Sequence, residues 1–170
     1  MIEFVKDRDI YKKVILGQVP RAKRFVWIGT SDLKDLHVEK GKKMVPFLEL
    51  LSDLIGNNVM IRLIHAKEPG PRFREDFDRY PNLISGLERL LCPRTHFKSI
   101  IVDGKFAYTG SANLTGAGAG AKSTRKRNFE SGIITDEPKL VDAIAEQFDE
   151  VWTGTGCNDC GRKEYCADFK

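Results

Sequence analysis

The chain has 170 residues, enough for one folding unit and too few for two comfortable ones. Apolar residues make up 41% and charged residues 31%, a balance that excludes disordered, collagen-like and membrane-embedded classes. Against 24 Asp plus Glu stand 28 Lys plus Arg, a net +4 that permits an anionic partner without demanding one. A domain of this length buries about two-thirds of its unfolded surface, so its fold needs no disulfide framework. The most apolar run, residues 48–55, is interrupted by Glu49 and Asp53 and falls short of the ~18 apolar residues of a membrane span. The first residues are acidic where a signal peptide would be basic, and a cytoplasmic location is expected.

In chain order, residues 7–16 read as a short helix, and residues 24–30, with Phe25, Val26, Trp27 and Ile28 in a row, as a buried strand. Met44, Leu48, Leu51, Leu54 and Ile55 recur at helical spacing, with Pro46 in the first turn and Gly56-Asn57-Asn58 as the stop. Residues 59–64 form a second buried strand, and strand, helix, strand implies a right-handed parallel crossover. Residues 68–81 are Pro-rich and charged, a surface loop or short helix. A short strand from Leu87 leads to strand 97–102, and Asp103-Gly104 joins that strand to 105–109 as a hairpin. A Gly/Ala-rich stretch (115–121), a basic run and an apolar strand ending at Ile134 follow. The final helix starts near Pro138 with Leu140, Val141, Ile144, Phe148, Val151 and Trp152 on one face. Residues 1–152 thus read as one α/β domain, and 153–170, rich in Gly, Asn, Asp and Cys, as an appended Cys-rich tail.

The residues suited to chemistry surround the hairpin. His96 and Lys98 are two apart on an extended segment and so project to one side, an imidazole beside an ammonium, as a phosphate requires. The turn at Asp103-Gly104 returns the chain antiparallel, bringing Gly110, Ser111 and Asn113 beside His96. A hydroxyl and an amide there can donate to phosphate oxygens, and Gly110 lets the backbone approach closely. Singly these residues are ordinary: Lys98 a solvated strand lysine, Asp103 a turn former, and His37 and His65 are read as structural histidines.

Together they spell His-x-Lys-x4-Asp-x6-Gly-Ser-x-Asn from His96 to Asn113, and at this string the chain resembles the phospholipase D superfamily, in particular its small nucleases with one motif copy per chain. The resemblance implies a phospholipase D-like α-β-α sandwich with a mixed central sheet. It implies phosphodiester cleavage in two steps through a phosphohistidine, without a catalytic cofactor. It places Asp103 away from the scissile phosphate as an orienting group. One motif copy implies a homodimer in which two His96 side chains face each other across the phosphate, one attacking and one protonating. Similar nucleases carry a Glu in the region of Glu130 that hydrogen-bonds the other nitrogen of the nucleophile, and that role is assigned to Glu130.

The basic run Lys122, Arg125, Lys126 and Arg127 lies between the motif and Glu130, at the mouth of the expected site. With Arg21, Lys23, Arg24 and Arg94 it could track a nucleic-acid backbone. The preceding Gly/Ala stretch fails as a phosphate loop, because Ala121 stands where that motif needs Gly. In the tail, Cys157-x2-Cys160-x5-Cys166 resembles half of a structural zinc site that Cys92 could complete if the tail folds back, with an iron–sulfur cluster, a disulfide pair or free thiols as the alternatives. The sequence therefore predicts a nuclease, an endonuclease acting on DNA or RNA. A lipid-directed phospholipase or phosphatidyl transferase and a non-catalytic nucleic-acid-binding module stand as alternatives.

Overall fold

The computed structural model describes residues 1–167, so the last three residues of the expected tail lie outside the described residues. Its centre is a seven-stranded mixed sheet in the order Ile2–Lys6 (β1), Ser131–Thr135 (β9), Phe106–Gly110 (β8), Ser99–Val102 (β7), Phe25–Thr30 (β2), Met60–His65 (β5) and Leu87–Leu91 (β6). β2 (Phe25–Thr30) and β5 (Met60–His65) run parallel, as do β5 and β6 (Leu87–Leu91). α1 (Phe47–Gly56) lies on the first of these crossovers, and α2 (Pro71–Asp78) and α3 (Asn82–Gly86) on the second. On the other side of β2, β7 (Ser99–Val102), β8 (Phe106–Gly110) and β9 (Ser131–Thr135) form an antiparallel meander.

Both sheet faces are covered, which explains the apolar runs in β2 and β5. α4 (Pro138–Trp152) presses Val141, Ile144 and Phe148 onto Ile64, Ile101 and Ala107. The larger core on the opposite face gathers α1, the helical turns of residues 10–21 and the loops that follow β2. Trp27 stacks on Phe148 at 5.2 Å, Phe148 on Trp152 at 6.0 Å, and the Arg62 guanidinium lies over both indoles. The expected α-β-α sandwich is the observed one.

Four local expectations are corrected. The helix expected from Met44 begins at Phe47, because Pro46 is extended (ψ 142°) and closes a small hairpin of β3 (His37–Lys40) with β4 (Lys43–Pro46). The hairpin places charged Lys40 against Glu49 and Asp53 at 2.7 and 2.6 Å. A strand absent from the sequence reading, β1 (Ile2–Lys6), adds to the β9 edge, where it buries only Val5 and leaves Ile2 and Phe4 outward, so no core-facing alternation marks it. The helix expected over 7–16 is wound wide over Ile10–Ile15, with the Leu16 N–H donating to the Tyr11 carbonyl. Finally, strand β7 begins at Ser99, so His96 and Lys98 sit on the extended lead into it, not within the ladder proper.

Candidate active site

The site lies at the carboxyl ends of β2 and β5, where ligands of open α/β sheets bind. Phe97 sets its geometry. A Cβ on Gly29 would stand 2.2 Å from the Phe97 ring, so the ring occupies the space that only glycine leaves open on β2, on the α4 side of the sheet. With Phe97 fixed there, alternation turns His96 and Lys98 together to the other side.

Lys98 is buried and His96 is exposed. The Lys98 ammonium donates to the His96 carbonyl at 2.5 Å and stands 3.4 Å from His96 Nδ1. Burial lowers the Lys98 pKa, and the nearby Glu130 carboxylate opposes that shift. Ser111 follows the end of β8, where its Oγ donates to Glu130 and accepts the Ser131 N–H at 3.1 Å. The other oxygen of Glu130 accepts from Asn128 at 3.1 Å, and its backbone is pinned to Asp7 by two hydrogen bonds. The Asn113 side-chain carbonyl gathers the turn after β2, accepting the Ser31 N–H at 3.2 Å, the Ser31 hydroxyl at 2.8 Å and the Asp32 N–H at 3.1 Å. Thus the exposed His96 imidazole is backed by the Lys98 ammonium, Lys98 is within electrostatic range of the Glu130 carboxylate, and Glu130 in turn holds the Ser111 hydroxyl. Such a set can hold an anion and move a proton.

A family model described as "Cardiolipin synthase, PLD-like domain" matches residues 15–152, which take in the whole of this constellation. The chain belongs to the phospholipase D-like family. Among solved structures this phospholipase D-like domain is similar to Nuc of Salmonella typhimurium, a phospholipase D family member, with a TM-score of 0.64 at 19% identity over 90% of this chain and 94% of that one. NucT of Helicobacter pylori follows at TM-score 0.63 and 15% identity, covering 88% and 95%. The archaeal chromatin protein TrmBL2 shares the fold over 52% of its own length, at TM-score 0.60, 13% identity and 89% of this chain. A curated relative, the mitochondrial cardiolipin hydrolase of Chlamydomonas reinhardtii, is 24% identical over 105 residues, 61% of this chain. The match spans 44% of that relative's length.

Other expected residues stand elsewhere in this phospholipase D-like domain. Asp103 is at the far end of β7, where its carboxylate accepts the backbone N–H groups of Lys23, Arg24 and Phe25 at 2.7–2.9 Å. Burial would raise its pKa, but those three donors and the Arg24 charge outweigh it and hold the carboxyl below its ordinary value. Arg21, Lys23 and Arg24 belong to that far end, away from the imidazole. Gly110 is required by the sheet: a Cβ there would meet the Ser131 carbonyl at 2.4 Å, and its N–H donates to the Lys98 carbonyl. Glu130 engages Ser111 and Asn128, while the His96 nitrogen it was expected to hold faces Lys98. His65 is buried against the Lys67 carbonyl, as a structural histidine.

The basic run forms an exposed turn closed by the Lys126 and Arg127 N–H groups on the Ser123 carbonyl. Lys122, Arg125, Lys126 and Arg127 make no ion pair among the described residues. Between this turn and Glu130 projects Phe129, 96% exposed, which sequence reading passed over because no period marks it. Ser31 and Asp7 were also missed, since each acts through a contact about 80 or more residues distant along the chain. Arg94 turns instead toward the tail, close to Gly156. The tail does fold back to Cys92, yet all four thiols are free, and among the described residues no three His, Cys, Asp or Glu side chains are grouped to hold a metal ion. Among the described residues no helix is long and apolar enough to cross a membrane.

Proposed function

We propose that this domain is a nuclease that cleaves DNA or RNA without a catalytic metal, working as a homodimer through a phosphohistidine. The observation that carries the reading is the exposed His96 imidazole backed by a buried ammonium, within a phospholipase D-like domain. Lys98 places a positive charge where the phosphate's non-bridging oxygens would lie, and Ser111 and the free amide hydrogens of Asn113 add neutral donors. An attacking imidazole forms an N–P bond as the P–O bond to the leaving strand breaks. The leaving oxygen takes a proton from the same histidine of a second copy, and water then displaces the imidazole as that histidine takes a proton back. Attack from Nε2 requires the ring proton on Nδ1, and Lys98 is a donor only, so Nδ1 must turn to a carboxylate in that state. Glu130, already in electrostatic range of Lys98, is the carboxylate available.

Support for nucleic acid as substrate comes from the exposed basic turn that leads to Glu130 and from Phe129, a stacking face for a base. The relatives Nuc, NucT and TrmBL2 share the fold, and the last is described as binding DNA. The second reading is a lipid phosphodiester substrate, favoured by the cardiolipin hydrolase relative and the description of the family model. A non-catalytic binding role fits less well, because every expected catalytic side chain is present. The deciding assay offers labelled single-stranded DNA, duplex DNA, RNA and cardiolipin vesicles to the purified chain in excess chelator, with His96→Ala alongside. Nucleic-acid cleavage that survives chelator and vanishes in the variant is expected, and cleavage of cardiolipin alone would replace this reading with the lipid one. Light scattering should find a dimer, and an active monomer would overturn the shared site.

A further inference from the structure

The segment that leads into β7 borders an open cavity that the phosphodiester chemistry above does not use. It holds about 340 Å³, at the lower end of what small-molecule sites enclose. Thr95 and Phe97, the two chain neighbours of His96, both stand in its wall, with the end of α4 and the first turn of the tail opposite them. Alternation along the lead turns these two residues away from the side that His96 and Lys98 share. The last β7 residue in the ladder is Ser99, paired with Gly29. Residues 95–97 therefore lie beyond the ladder, and the cavity and the imidazole occupy two sides of one extended segment.

The lining mixes a flat apolar wall with polar groups of both kinds. Phe97 fills the space that Gly29 leaves on β2 yet remains only half-buried, and with Val151 and Cys92 it forms the apolar part. Around it stand the Arg94 guanidinium, the Thr155 hydroxyl and the Glu150 carboxylate, all on exposed residues. Glu150 makes no ion pair among the described residues. Thr95 is 4% exposed and its hydroxyl has no hydrogen-bond partner, so a turn about χ1 toward a ligand would break no bond within the protein. Glu150 disfavours an anion in this cavity. A hydrocarbon chain would strip water from Arg94 and Glu150 and offer them nothing in return. A neutral, flat ring that carries both donors and acceptors suits every part: its face lies on Phe97, a ring carbonyl accepts from Arg94 or a threonine, and an exocyclic amine donates to Glu150. Nucleobases are rings of this kind.

We propose that this cavity is a base subsite, which receives the base of a nucleotide next to the phosphate that His96 engages. The proposal rests on the nuclease reading and adds to it: a base lodged against Phe97 has left its partner, so the strand is unpaired at that nucleotide. Cys92 and Cys157 line the same cavity as free thiols, and their reactivity reports whether it is filled.

The test uses the full chain under reducing conditions and a short single-stranded oligonucleotide, together with a set in which one abasic residue replaces each nucleotide in turn. Loss of one particular base beside the cut should lower kcat/KM for cleavage at that phosphate by about tenfold or more. Val151→Trp fills the cavity, and in that variant the intact and abasic strands should be cut at the same reduced rate. A second measurement needs no change to the cavity. In His96→Ala, where the strand stays whole, the intact oligonucleotide should slow alkylation of Cys92 and Cys157 by iodoacetamide, and the strand abasic at that position should not. Cleavage that no abasic position slows would overturn the subsite and leave the nuclease reading standing. So would thiols alkylated equally fast with either strand, or an abasic effect that persists undiminished in a folded Val151→Trp. Cleavage of cardiolipin with no oligonucleotide cut at all would remove both the subsite and the nuclease reading.

Discussion

Replacing Asp103 by alanine separates a structural from a chemical role for the acidic member of the motif. Its carboxylate accepts three backbone N–H groups, those of Lys23 at 2.9 Å, Arg24 at 2.7 Å and Phe25 at 2.9 Å, and so fastens the β7–β8 turn to the start of β2. A hydrogen bond to a charged group contributes about 1.5–3 kcal/mol when desolvated, and these are partly exposed, so about 1 kcal/mol each is the appropriate scale. Asp103 also has φ +56°, a left-handed conformation that costs alanine about 1 kcal/mol. The expected loss is about 3–4 kcal/mol, or roughly 6–16 °C in Tm for a domain of this size. Asp103→Asn keeps one acceptor oxygen and tolerates the left-handed turn, so it should lose roughly half as much. The pH dependence carries the same signature. A carboxyl held low in the folded state stabilises fully above its unfolded pKa, and the contribution disappears as pH falls through the folded value. The gap between wild type and Asp103→Ala should therefore be full at pH 7 and close in acid. Thermal melts across pH, with turnover measured well below each variant's Tm, decide the matter. Turnover abolished in Asp103→Ala with an unchanged Tm would refute the structural role.

Three further substitutions probe the site. Lys98→Met removes a buried ammonium whose pKa is lowered by burial, so its Tm should be no lower than wild type at pH 7 while cleavage is lost; a large drop in Tm would show that Lys98 supports the fold instead. The associated stability gain should shrink as pH rises toward the unfolded lysine value of about 10.4, where the wild-type ammonium deprotonates at little cost. Gly29→Ala inserts a methyl 2.2 Å from the Phe97 ring and should displace the His96 lead, cutting turnover at least tenfold; Phe97→Leu in the same chain should restore part of it, and no effect of the single change would refute the packing argument. Neutralising Lys122, Arg125 and Lys126 together should lower the slope of log affinity against log salt for nucleic acid by about 2–3, with little change in hydrolysis of a small chromogenic diester. An unchanged slope would remove the basic turn from the binding surface.

The sequence by itself determined which residues form the motif and how the chain alternates. Spacing of two put His96 and Lys98 on one side, Asp103-Gly104 formed the turn with both residues at positive φ, and the apolar runs in β2 and β5 became buried parallel strands. These features are local, set by backbone period and turn chemistry, and therefore legible in order along the chain. The tertiary structure decided everything that depends on contacts between distant segments. Only the register of β2 against β7 shows that Asp103 and Arg24 lie at one end and His96 at the other, so that one motif divides into a fold-fastening carboxylate and an exposed imidazole. Only the fit of β8 against β9 shows that Gly110 is required by the Ser131 carbonyl, and only the fit of Phe97 on Gly29 shows what aims His96. The Glu130 carboxylate is aimed by Asp7 and Ser111, and the tail is carried to Cys92 by the turn that ends α4. A linear pattern names such groups but cannot state their distances, because closure of long loops is decided by packing and not by neighbours in the chain.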